Sequence, residues 1–106
     1  MSYHDLTELK AMAMGDQVFV QKMIALFLET TEDSLTQMLE AYEKGDFKTI
    51  AALAHKIKPS LDMMGISDLH DPIRAIESNA KSSGDQLARL IPKVDQVLTA
   101  VFEDLK

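Results

Sequence analysis

Residues 54–65 read AHKIKPSLDMMG. This stretch sets an imidazole, His55, three residues ahead of an ammonium, Lys58, within helical apolar spacing. Residues three apart share a helix face, so the two groups reach the same region. A neutral imidazole is a good nucleophile near pH 7. A lysine beside it can stabilise phosphoryl oxygens. The other histidines offer less. His4 precedes the first helix, and His70, between Asp68 and Asp71, has no further ligands at a metal-binding spacing. No cysteine is present, which excludes disulfides, thiolate chemistry and Cys-based zinc sites.

The elements that must carry this pair are marked by glycine, at positions 15, 45, 65 and 84. Glycine is favoured just past a helix end. A short first helix is expected, capped by Asp5 with Glu8 at the capping-box spacing, with Leu6, Leu9 and Ala13 inward. Asp16 caps a long second helix over roughly 17–44, whose stripe runs Val20, Ile24, Phe27, Thr31, Leu35, Met38, Tyr42. Asp46 caps the third, with Phe47, Ile50, Ala54, Ile57, Leu61 and Met64 inward. A fourth helix starts somewhere in 67–72, from Ser67 or from Asp71-Pro72, and runs to about 82 with Leu69, Ile73, Ile76 and Ala80 inward. A single turn ahead of Pro72 reconciles the two signals. Asp85 caps the fifth, with Leu87, Ile91, Val94, Leu98, Val101 and Leu105 inward and Pro92 bending it. The methionines, Met12, Met14, Met23, Met38, Met63 and Met64 among them, mostly fall near these stripes and are expected to fill core gaps. No alternation long enough for a strand occurs. Short connections imply an all-α fold: an up-down-up-down antiparallel four-helix bundle with a short additional N-terminal helix.

On a wheel of about 100° per residue, His55 falls off the inward stripe of the third helix, on a face with Lys48, Ala52, Pro59 and Asp62. Ala51 and Ala52 lie one turn behind it and Pro59 one turn ahead, so small neighbours leave the ring open. The residues alone leave two readings open: an ordinary exposed histidine in an acidic protein, or a nucleophile presented to a partner.

Bulk properties narrow the classes. A chain of 106 residues with 46% apolar composition fits one domain, residues 1–106, with its own core. The net charge of -6, with no basic stripe, argues against nucleic acid. No apolar run is long enough to span a membrane, and MSYHDLTELK is not a signal peptide. The cytoplasm is the expected compartment, and a bundle that buries its own faces is expected to be monomeric.

The run AHKIKPSLDMMG resembles the signature of histidine-containing phosphotransfer domains: Ala-His, two residues, Lys, a small residue, Ser, and Gly several positions on. Here these are Ala54, His55, Lys58, Ser60 and Gly65. The flanking run from Tyr42 to Phe47, and Leu69, Ile76 and Glu77 after it, resemble the family as well. The resemblance implies a four-helix bundle whose exposed histidine accepts a phosphoryl group from a receiver-domain aspartate and passes it to another. Carried over, His55 is the phosphoacceptor, through the distal Nε2, and Lys58 the nearby positive charge. Pro59 departs from the family, which most often has Gly there. It removes the amide that would bond the His55 carbonyl, and a bend near 55–59 is expected.

The implied protein is a phosphoryl carrier, not an independent enzyme. It binds no cofactor or metal itself, and Mg²⁺ is expected on the partner receiver domain. A hybrid histidine kinase is the expected upstream partner. The docking surface is expected on the exposed side of helices two and three, with Lys48, Ala51, Ala52, Lys56, Lys58, Pro59 and Asp62 as candidates. The alternative is a helical interaction module without phosphoryl chemistry. A general-base enzyme needs a pocket and an orienting carboxylate, which an open convex helix face is not expected to provide.

Overall fold

The structure, a computed structural model, describes residues 2–106. Its helices are α1 (Thr7–Ala13), α2 (Gln17–Lys44), α3 (Phe47–Met63), α4 (His70–Ala80) and α5 (Leu87–Leu105). A single 3-10 turn, Ser67–Leu69, runs directly into α4, which accommodates both start signals read around Ser67 and Pro72. Among the described residues there is no strand, and no helix is long and apolar enough to cross a membrane.

Two helix starts form as the sequence suggests. The Asp16 carboxylate accepts from the amides of Val18 (3.0 Å) and Phe19 (3.1 Å). Asp46 accepts from the Thr49 amide (3.2 Å) and hydroxyl (2.6 Å). Each satisfies amides that the first helical turn leaves without partners. Two other expected caps do not form. Asp5 donates its own amide to the Met64 carbonyl (3.0 Å), which ties residue 5 to the end of α3. Its carboxylate closes a short turn onto Thr7 instead, and α1 begins only there. Asp85 is drawn back into the α4–α5 loop by Ser83 Oγ (2.6 Å) and Asn79 Nδ2 (3.0 Å). The Gln86 amide at the start of α5 is met by the Asn79 side-chain oxygen (3.0 Å).

The apolar stripes meet in one continuous core. α3 packs against α2 and α4, α5 closes against α4 and α2, and α1 lies on α2. Leu9, Met38, Ile50, Leu61, Ile73, Ile76, Leu87 and Leu98 are fully buried. Phe27 of α2 and Phe102 of α5 face each other in a tilted ring pair, 6.0 Å between centroids. The α3 stripe is wider than its spacing alone suggests. Flanked on two sides, α3 also buries Ala51 and Leu53, while Phe47 is only half-buried. The two prolines that lie beyond the first turn of a helix, Pro59 and Pro92, sit on exposed positions, and α3 and α5 continue through them. The methionines divide. Met38 and Met64 fill the core, but Met12 and Met14 are 56% and 90% exposed and do not. They sit on α1 and its turn, where one short helix leaves nothing to cover them.

Gly65 sets the floor beneath α3. Its φ of +65° is left-handed, and a Cβ there would run into the carbonyl oxygen of Asp5. Gly45 has a similar φ of +69° but open space around it. Gly45→Ala should therefore cost only the left-handed strain, about 1 kcal/mol. Gly65→Ala adds overpacking and should cost about 2–4 kcal/mol in total. Urea unfolding of both variants measures the difference, and equal losses would contradict the close packing of residue 5 on Gly65.

Candidate functional site

His55 leaves α3 beside fully buried Ala54, yet its own side chain is 71% exposed. The core face of α3 thus holds the helix while the adjacent face presents the ring. What orients the ring comes from α4. Ile73, Ile76 and Ala80 bury the inward face of that helix, and Glu77, next to Ile76, lands on the edge facing α3. Its side chain is only 14% exposed. Glu77 Oε2 lies 3.0 Å from His55 Nδ1, and Oε1 accepts from Lys58 Nζ at 2.9 Å. Lys81 Nζ, one turn along α4, approaches Oε2 at 3.4 Å.

The hydrogen bond from Lys58 pulls the Glu77 carboxyl down to about 2, against the opposing effect of burial. The Lys81 hydrogen bond, the Lys58 charge and the His55 hydrogen bond add to it. Glu77 is therefore ionised at neutral pH and can only accept. The neutral imidazole must carry its proton on Nδ1 to bond it. That leaves the Nε2 lone pair free on the exposed side of the ring.

Beside the ring, α3 and α4 form a concavity of about 560 Å³ lined by Lys48, Ala51, Ala52, His55, Glu77, Ala80 and Lys81. The convex face expected from sequence is thus corrected on two counts: a concavity and an orienting carboxylate are both present. The concavity joins α3 to α4, whereas the docking surface was expected on the exposed side of the second and third helices. Ala51, expected on the exposed side, is 5% exposed, because α4 packs over that flank of α3. It forms part of the floor. Lys48 and Ala52 line the same concavity, while Lys56 and Pro59 are exposed outside it. Lys58 is half-buried and held on Glu77. Asp62 is engaged by Arg74, at 2.7 and 3.3 Å, and that hydrogen bond lowers its carboxyl. His70 pairs with Asp71 at 3.0 Å, and His4 lies 3.6 Å from Asp104. Among the described residues no three His, Asp or Glu side chains converge as metal ligands.

The reading of the residues did not find Glu77 as the partner of His55, nor Lys81 at all. The signal present was their i,i+4 spacing beside the buried stripe of the fourth helix. Helical spacing shows that they share a face, but not that this face meets His55.

The sequence profile of the Hpt domain matches residues 22–104, most of the chain. The chain belongs to the Hpt domain family. No curated protein and no solved structure matches it. Hpt domains are helical bundles and phosphocarrier modules of two-component phosphorelays, where they interact with receiver domains. The matched span of this Hpt domain contains α3 and α4 whole, α2 and α5 in the main, and every residue of the His55 cluster. It leaves α1 outside, although Leu9 of α1 is fully buried in the common core.

The Glu77 cluster predicts a pH dependence of this Hpt domain's stability. The carboxyl falls from an ordinary 4.5 to about 2 on folding, so its contribution is complete above about pH 4.5 and is lost as pH drops toward 2. The urea midpoint of wild type should exceed that of Glu77→Gln at neutral pH, and the two should converge between pH 4.5 and 2. A gap that persists unchanged through that window would contradict the cluster.

Proposed function

We propose that His55 is the phosphoacceptor of a phosphorelay intermediate, taking the group from one receiver-domain aspartate and giving it to another. The observation that carries this reading is the bond between Nδ1 and Glu77 on a ring that is 71% exposed. In the transfer, the Nε2 lone pair forms a bond to phosphorus as the bond to the aspartyl oxygen breaks. The electron pair of that broken bond leaves with the carboxylate. The Nδ1 proton stays in place, and the positive charge that develops on the ring is met by Glu77. Lys58 meets phosphoryl oxygens from the α3 side. The reverse sequence returns the group to the second receiver.

The group transferred needs in-line geometry and charge neutralisation. Mg²⁺ belongs, on this reading, to the receiver domain, which brings the metal and most of the catalysis. The receiver docks over α3 and α4 around the ring, on Lys48, Ala52, Lys56 and Pro59, with Ala51 as floor and Asp62 at the far margin. A hybrid histidine kinase supplies the phosphoryl group upstream. The protein acts as a cytoplasmic monomer. Its domain is the whole of residues 1–106, arranged up-down-up-down, a reading supported by the short connections and the closed cycle of helix neighbours.

The carboxylate-imidazole pair would equally suit a general base. Membership of the Hpt family, however, favours a carrier. Incubation with a phosphorylated receiver domain should label wild type with an acid-labile, base-stable phosphoryl group and leave His55→Gln unlabelled. Equal labelling of both would overturn the assignment. Lys58→Ala should slow transfer about tenfold, the rate equivalent of one charge-assisted hydrogen bond. Unchanged transfer kinetics would show that Lys58 serves only Glu77.

A further inference from the structure

α5 opens with two cations that have no counter-charge. Arg89 and Lys93 lie one turn apart on it, both exposed. The first turn of α5 carries no acid. Asp85, just before the helix, is held in the loop by Ser83 and Asn79. Asp95, just after Lys93, turns to the other side of α5, where it lines a groove with Glu32 and Leu39 of α2. Among the described residues the ion pairs of lysine and arginine take Lys58, Arg74, Lys81 and Lys106 instead. Arg89 meets only the Gln86 side-chain oxygen, at 3.1 Å.

This placement does not serve the fold. The start of a helix is its positive end, and a cation there is disfavoured. A chain of net charge -6 also has carboxylates to spare for pairing, yet none is placed beside these two groups.

The two cations border a concavity of about 470 Å³ in the α4–α5 seam. Leu90, Pro72 and Pro92 give it an apolar lining, and Gln96 adds an amide about one turn beyond Lys93. It shares no residue with the concavity beside His55, which lies in the α3–α4 seam. The chemistry suits an anion with an apolar body. Arg89 can hold a carboxylate through two parallel N–H bonds, and Lys93 can hold another as a point charge. Cations spaced by one helical turn match carboxylates spaced by one helical turn. Two cations are too few for a nucleic-acid backbone or an anionic bilayer, each of which sets a dense row of negative charge against a chain of net charge -6. A short acidic helix brings only two or three.

We propose that the α4–α5 groove is a second docking surface, which takes an acidic helix of a partner protein. Two of its carboxylates meet Arg89 and Lys93, and an apolar side chain on the same face rests on Leu90, Pro72 and Pro92. The groove is separate from the face that presents His55, so both can be occupied at once.

Fluorescence anisotropy of the full chain with a capped, labelled helical peptide tests this. The peptide carries glutamates four residues apart and a leucine on the same face. Wild type should bind it, and the double variant Arg89→Gln, Lys93→Gln should bind about tenfold more weakly, the effect of losing a charge-assisted pair. The same peptide with glutamines in place of glutamates should lose as much. Amide NMR shifts should move at Leu90, Lys93 and Gln96 and stay in place at Ala51, Ala52 and His55. The unfolding midpoint of the double variant should equal or exceed that of wild type, because the cation at the helix start does not support the fold. No binding by wild type, equal binding of the glutamine peptide, or shifts confined to the α3–α4 face would overturn the inference. So would tighter binding of a single-stranded oligonucleotide than of the peptide. A lowered midpoint accompanying the lost affinity would also overturn it, since Arg89 and Lys93 would then be folding residues.

Discussion

The Glu77 carboxylate is the point on which the site depends. It lies on α4, is largely covered, and meets three nitrogen groups: the imidazole of His55, the ammonium of Lys58 and, more loosely, that of Lys81. Its ionised state fixes the hydrogen to Nδ1 and so decides which ring nitrogen faces outward. Without it, an exposed imidazole would exchange tautomers and rotate, and neither nitrogen would be reliably presented. The two lysines keep the carboxylate ionised, with the Lys58 hydrogen bond the larger influence. A buried-edge acid held by neighbouring cations thereby controls a ring that itself remains accessible to a partner.

Everything else in the fold serves to hold α3 against α4 at this distance. Ala54, Ile57 and Leu61 pin α3 into the core beneath His55, and Ile73, Ile76 and Ala80 pin α4 beneath Glu77. Small side chains, Ala51 and Ala80, allow the close approach that lets a glutamate on one helix reach a histidine on the next. Asp62 and Arg74 form a second bridge between the same helices toward the other end of α3. The far end of α3 is closed by Gly65, whose left-handed turn receives the backbone of Asp5. The glycine of the AHKIKPSLDMMG run is thus a packing residue, remote in role from the chemistry of His55.

Most of the helices were legible because each buries one stripe, and the stripe is written in spacing that a single helix shows by itself. Thr31, predicted inward among apolar residues, is 1% exposed for that reason. Asp16 and Asp46 were legible as caps because their partners lie within three residues. Asp5 and Asp85 were not, because Met64 and Asn79, which decide their conformations, belong to other elements. The same limit hid the centre of the site. A helical wheel gives the rotation of His55 about its own axis, and it placed the ring outside. It carries no information on which neighbour that flank meets, so the covered position of Ala51, the concavity and the partnership with Glu77 all escaped it. Pro59 stands between these cases: it was visible as a departure from the family run, and it sits on an exposed position in a helix that continues past it.

The central claim is that Glu77 holds the proton on Nδ1 so that Nε2 does the chemistry. Its most direct test is the phosphorus–nitrogen linkage in the phosphorylated protein, read by NMR with ¹⁵N-labelled histidine. Phosphorus bonded to Nε2 of His55, with Nδ1 protonated, is the predicted result. Phosphorus on Nδ1 would contradict the account, because the nitrogen bonded to Glu77 would then be the nucleophile.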